Sequence, residues 1–265
     1  MQAPARDKRN AAEVGGSSAG GSIQKPLAEN LPPQIAVVYL AYLPYGLEPY
    51  EQFMASYREH PAGVDHTLLV ALKGEGAEPS GVQTLRVPDD CLDLGTYIWI
   101  ARNFKAKRYL FMNTSCEILV DGWLEKLNSH LGEKVGIVGA TGSYGSPPIN
   151  APLKAPNPHL RTNAFMLERD LMLDLDWQEP IKTKHQAYAV EHGPKSLTTQ
   201  ITGRGLEAVL VGRDGDGFPV RQWAESRTFW VGDQENLMIS DKATRRYMNH
   251  PRSRFKLSRF AWPPW

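Results

Sequence analysis

Short apolar runs rich in β-branched residues, each followed by a helical period, constrain this chain most. IAVVYLA (35–41) and HTLLVAL (66–72) are continuous enough to be strands buried on both faces. VQTLRV (82–87), RYLFMN (108–113) and VGIVGA (135–140) repeat the pattern, and EAVLVGRDG (207–215) adds a late strand. Between the first two runs, Tyr50, Phe53, Met54 and Tyr57 recur at helical spacing. Tyr97, Ile98, Ala101 and Phe104 mark a second helix; Leu124, Leu127 and Leu131 mark a third, with Asp121 as its candidate cap. Parallel neighbours need crossovers, so this alternation predicts helices packed on a mostly parallel sheet. Sheets of that kind bind ligands outside the carboxyl ends of their strands.

The flanks differ in composition. Residues 1–33 are Gly, Ser, Ala and charge, too poor in large apolar side chains to offset their ordering entropy, and are expected to form a disordered leader. The folded part is expected over 34–240. Residues 241–265 form a basic, aromatic extension: from Lys242 onward there are seven Lys/Arg and no acid. Trp262 and Trp265 suit a membrane interface, a glycan or a tail docked back on its own domain. Across the whole chain 30 Lys+Arg face 29 Asp+Glu, which argues against a protein that neutralises phosphates along a duplex. No apolar run approaches the roughly 20 residues that span a bilayer. With Cys91 and Cys116 alone, two unpaired thiols in a reducing compartment are expected.

Common chemical motifs are missing. No GxGxxG follows the first strand, GATGSYGS (139–146) lacks the GK[ST] of a P-loop, and there is no HExxH, CxxC pair or GxSxG. What remains is a series of polar residues at strand ends: Asp93, Gly95, Ala101 and Asn103 in LDLGTYIWIARN; Asn113-Thr114-Ser115 and Glu117 after the fourth strand; Asp121-Gly122-Trp123-Leu124; Thr162 to Arg169; and Glu191 ahead of Ser196, Leu197, Thr198 and Gly205.

In this order and spacing the chain resembles bacterial family 2-like glycosyltransferases of the GT-A fold over about residues 35–240. The resemblance implies a single α/β, Rossmann-like GT-A domain. It implies a hexosyltransferase-class enzyme moving a sugar from a nucleotide-sugar donor to a polysaccharide or glycolipid acceptor, with inversion. Asp93, Gly95, Asn103, Asn113 and Ser115 fall on the donor side, Trp123, Thr162 and Asn163 on the acceptor side, and Glu191 at the general base. Asp93 is equally readable as a plain N-cap, Trp123 as core, and His192 as a structural or exposed residue rather than a ligand. The family's cation position reads Asn113-Thr114-Ser115, without the usual Asp. A hard cation such as Mn2+ or Mg2+ prefers carboxylate oxygen. Three outcomes are open: Glu117 substitutes as ligand, the enzyme works without metal by using cations such as Arg245, Arg246, Arg252 and Arg254, or the site is dead. The last would make the chain an inactive glycosyltransferase-like protein that binds glycan or a partner. A cytoplasmic place, with the tail at the inner membrane face, and no nucleic-acid partner complete the expectation. A nucleotidyltransferase ranks last, because LPYGLEPY (43–50) is acidic and aromatic rather than basic and Gly-rich.

Overall fold

A computed structural model describes residues 33–146 and 154–264. The expected leader lies outside the described residues apart from Pro33. The first half runs β1 (Ile35–Tyr42), α1 (Glu48–Glu59), β2 (Thr67–Lys73), β3 (Thr84–Arg86), α2 (Asp93–Asn103), β4 (Arg108–Met112), β5 (Glu117–Ile118), α3 (Trp123–His130) and β6 (Val135–Gly139). It continues with β7 (Gly142–Ser143), β8 (His159–Leu160), β9 (Ala164–Glu168), α4 (Arg169–Asp174), α5 (Lys184–His192), α6 (Leu197–Gly203), β10 (Glu207–Val211) and β11 (Gly217–Pro219). The chain ends in β12 (Ile239–Ser240), α7 (Lys242–Asn249) and α8 (Arg254–Ala261).

The central sheet has eight strands in the order β11-β10-β6-β9-β4-β1-β2-β3. The β1–β2, β1–β4, β2–β3 and β6–β10 pairs are parallel, while β9 runs against both β4 and β6, and β11 against β10. This is a Rossmann-like mixed α/β fold with a mostly parallel sheet. The period-2 alternation of β1 explains its unbroken apolar run. Ala36, Val38 and Leu40 enter the core beneath α2, α5 and α6, and Ile35, Val37, Tyr39 and Ala41 enter the opposite core beneath α1 and α3.

Two local readings change. The cap of α3 is Gly122 in the left-handed region (φ 71°), not Asp121, whose carboxylate instead meets His60 Nδ1 at 2.7 Å. The sixth strand of the central sheet in chain order, β9, is antiparallel to both its neighbours, so the residues just before it emerge at their carboxyl edge.

The basic C-terminal stretch packs back on the domain. β12 pairs with β5, Tyr144 N and Ser143 Oγ both donate to Ala261 O (2.7 and 3.1 Å), and Trp262 Nε1 donates to Phe229 O at 2.7 Å. Among the described residues no helix is long and apolar enough to cross a membrane.

Gly95 shows how tightly α2 is seated. A Cβ there would stand 2.7 Å from Cys91 Cβ and 3.2 Å from its Sγ. Elsewhere in a helix Gly→Ala gains up to about 1 kcal/mol, but here the clash decides the sign. Gly95→Ala is expected to destabilise by about 1–3 kcal/mol, the range for overpacked sites, as read by urea denaturation. A neutral or stabilised variant would mean the Cys91 turn yields freely.

Candidate functional site

The carboxyl edge of the sheet is where strand ends and helix starts bring polar groups together. At the end of β4 the chain turns through Asn113-Thr114-Ser115. Thr114 Oγ1 donates to Leu40 O at 2.7 Å, and Tyr39 Oη donates to Thr114 O at 2.7 Å, which pins the turn to β1. Asn113 Oδ1 accepts from Ser115 N and Ser115 Oγ, both at 3.1 Å, and from Cys116 Sγ at 3.3 Å. Asn113 N donates to Asn163 O at 2.9 Å, so the segment before β9 lies directly beside the turn.

Helix α7 closes this turn from the other side. Asp241 caps it in a capping box with Thr244, and its first backbone N–H, of Lys242, donates to Ser115 Oγ at 3.3 Å. Arg245 donates to Ser115 O at 3.0 Å and lies 3.4 Å from Glu117 Oε2. Asp241 also holds Arg161 at 2.6 Å, with their side chains only 3% and 16% exposed. Burial pushes the Asp241 carboxyl up, but Arg161 and the Thr244 hydrogen bonds outweigh it and hold it below the usual range.

Next to Asn163, Thr162 Oγ1 donates to Glu191 Oε2 at 2.6 Å. Glu191 sits in the last turn of α5, and its Oε1 lies 3.3 Å from His192 Nε2. His159, on β8, meets the His192 ring edge to face with centroids 3.9 Å apart. Burial, then the neighbouring His192, drives His159 down to about 3; burial and Arg161 drive His192 down to about 4. Both imidazoles are therefore neutral at pH 7.

Asp93 heads α2 at the same edge. Its side chain is open to water yet walled by protein, and that desolvation raises its carboxyl above the usual range against the pull of Lys73. Lys73, at the end of β2, is buried and donates to Thr96 Oγ1 at 3.0 Å and to Cys91 O. Gly95 packs against Cys91 beside it. Tyr97 on α2 is fully buried; burial first, then Asp93 and Cys116, raises its hydroxyl well above the usual range, and the hydroxyl has no hydrogen-bond partner.

The structure thus joins Asn113, Ser115 and Asn163 by direct contact, brings Glu117 to them through Arg245, and pairs Thr162, next along the chain to Asn163, with Glu191; Asp93 and Gly95 lie on the same edge. It leaves out two expected residues. Asn103 ends α2, an 11-residue helix about 15 Å long, so it lies at the opposite edge from Asp93, where its amide donates to Trp99 O at 2.8 Å. Trp123 is fully buried; its Nε1 donates to His60 O at 3.0 Å and its ring packs on Tyr57 and His66, near the start of β2, so it offers no face to an acceptor. Asp241, Arg161 and His159 were not among the sequence candidates. The nearest signal was the acid directly preceding a basic helix, which marks a capped N-terminus.

The oxygens at the cation position fit Mn2+ or Mg2+ poorly. Asn113 Oδ1 already accepts from three donors, Ser115 supplies a hydroxyl, and Glu117 is turned to Arg245.

No family model matches the chain, and no curated protein matches it. Among solved structures, HddC from Yersinia pseudotuberculosis aligns over 56% of this chain and 84% of its own, with 11% identity and a TM-score of 0.37. CMP:2-keto-3-deoxy-manno-octonic acid synthetase, complexed with CTP, aligns over 67% of this chain and 88% of its own, with 14% identity and a TM-score of 0.41. At those scores neither likeness carries an argument about this chain's chemistry. The class defined here is a Rossmann-like α/β protein with a polar cluster at the carboxyl edge of its sheet.

Proposed function

We propose that the chain is a nucleotide-sugar-dependent glycosyltransferase that stabilises its leaving diphosphate with protein cations rather than with Mn2+ or Mg2+. The observation that carries this reading is the seating of the α7 N-terminus and Arg245 on the Asn113–Ser115 turn. The Lys242 and Thr244 N–H groups are already taken by Ser115 Oγ and the Asp241 cap, so α7 contributes the positive end of its dipole, and the Arg245 guanidinium beside it matches phosphate oxygens.

Chemically, the acceptor hydroxyl oxygen forms a bond to the anomeric carbon as the bond from that carbon to the diphosphate oxygen breaks. The hydroxyl proton passes to the Glu191 carboxylate, and the negative charge leaves on the nucleoside diphosphate beside Arg245. Displacement from the opposite face inverts the anomeric centre. Thr162 aims Glu191 by its 2.6 Å hydrogen bond. The acceptor is a polysaccharide or glycolipid hydroxyl. A nucleotidyltransferase reading is disfavoured because no Lys or Arg occurs from Leu43 through Tyr57, where a triphosphate would need a cation after β1.

Thermal-shift titration with nucleoside diphosphates, nucleoside triphosphates and nucleotide sugars, with and without Mn2+, tests the reading. A ligand that binds only the folded state raises the midpoint by mass action. One nucleoside diphosphate is expected to raise it without Mn2+. Arg245→Ala is expected to weaken that binding at least about tenfold, or about 1.4 kcal/mol. A Mn2+-dependent shift would overturn the metal-free diphosphate site. Binding of a triphosphate alone would favour nucleotidyl transfer. No shift with any nucleotide would favour an inactive protein that binds glycan or a partner.

A further inference from the structure

We infer that His159, Glu191 and His192 form a binding site for a first-row divalent transition metal, Zn2+ foremost, beside Thr162 at the carboxyl edge of the sheet. One ligand atom from each of these residues lies within 4.8 Å of the others. Donors about 2.1 Å from a tetrahedral Zn2+ are about 3.4 Å apart, so only a modest closure separates the cluster from a coordinating arrangement. Two imidazoles and a carboxylate are the donor set of a borderline cation, not of Mg2+ or Ca2+.

The surroundings of the three side chains are those of a held ligand set. His159 Nδ1 meets Asn157 O at 2.8 Å; donating there leaves Nε2 with its lone pair bare. The carboxylate of Glu191 is aimed by Thr162 at 2.6 Å. His192 Nδ1 is buried with no hydrogen-bond partner. The buried His159 ring and the partly buried His192 ring stand with centroids 3.9 Å apart, next to the unsatisfied His192 Nδ1. The nearby positive charge, Arg161, does not stand free against a metal, because Asp241 holds it at 2.6 Å. The three ligands come from β8 and the end of α5, so none of them belongs to the α7 start or to the Asn113–Ser115 turn. It does not depend on glycosyl transfer, since binding is measured on the free protein.

The test is a titration of the chelator-stripped full chain with Co2+, followed by its visible d–d absorption, and with Zn2+ in competition with a chromophoric chelator. Saturable binding at micromolar or tighter affinity is expected, with a Co2+ band of tetrahedral type. His159→Gln and His192→Gln should each weaken Zn2+ binding at least about tenfold. His250→Gln, at an exposed histidine, should leave it unchanged. Circular dichroism identifies any variant that fails to fold, and the wild-type titration stands without the variants. Absence of micromolar Zn2+ binding by wild type, or folded His159 and His192 variants that bind as wild type does, would overturn the site.

Discussion

Asp241→Ala is expected to cost about 3–5 kcal/mol of stability, because it leaves Arg161 buried without its counter-charge. Arg161 is 16% exposed and keeps a hydrogen bond to Thr141 Oγ1 at 3.2 Å and a face contact with Phe229 at 4.3 Å. That residual support places the loss toward the lower end. The substitution also removes the α7 cap, which is worth about 1 kcal/mol. Asp241→Asn separates the two: asparagine caps as well as aspartate, so it should lose the charge pair alone and fall about 1 kcal/mol short of the alanine loss. Urea denaturation of both variants reads the difference. The pH dependence has a definite sign. The folded-state pKa of Asp241 lies below its unfolded value, so its contribution is present above about pH 3.9 and fades as pH falls through the folded value. Both variants should therefore flatten the acid limb of the stability curve. An Asp241→Asn loss within about 0.5 kcal/mol of zero, the range of neutral surface changes, would mean that Arg161 reaches water when its partner is gone. Because the same residue caps α7, the alanine variant should also loosen the helix from Ser115 and weaken nucleotide binding, whereas the asparagine variant keeps the cap.

That coupling also shows what could be read in the chain and what could not. The β1, β2, β4 and β6 strands were legible because a strand buried on both faces must be apolar at every position, as Ile35–Ala41 is. The placement of Asn113 directly after β4 and of Glu191 near the end of α5 was legible because the apolar pattern breaks there. The direction of β9 was not legible: AFMLE is apolar whichever way it runs, yet its reversal is what brings Thr162 and Asn163 to the Asn113 turn. Asn103 misled because spacing along a helix does not say which end lies at the carboxyl edge of the sheet. Trp123 misled because an aromatic at the start of a helix reads alike whether it faces core or solvent. The docking of α7 depends on the Asp241–Arg161 pair, 80 residues apart, and no local pattern encodes a contact of that range.

Glu191→Gln is expected to lower kcat for sugar transfer by about 10²–10⁴-fold, the usual contribution of a general base. The amide keeps the size and can still accept from Thr162 Oγ1, so nucleotide binding and its midpoint shift should be preserved. A fall in kcat with KM little changed separates loss of the base from loss of binding. Thr162→Val should give a smaller fall, since it removes only the hydrogen bond that aims the carboxylate. A Glu191→Gln rate within about twofold of wild type would reduce Glu191 to a helix-end residue and take general-base catalysis away from this position. The histidines refine the outcome, because Glu191 lies 3.3 Å from His192. If His159→Gln abolishes metal binding and lowers kcat as far as Glu191→Gln does, activity requires His159 as well as Glu191, and a cation held there would supply charge rather than leave Glu191 as a free base. If His159→Gln abolishes metal binding and leaves kcat intact, the proton passes to Glu191 directly, and the cation serves to hold α5 against β8.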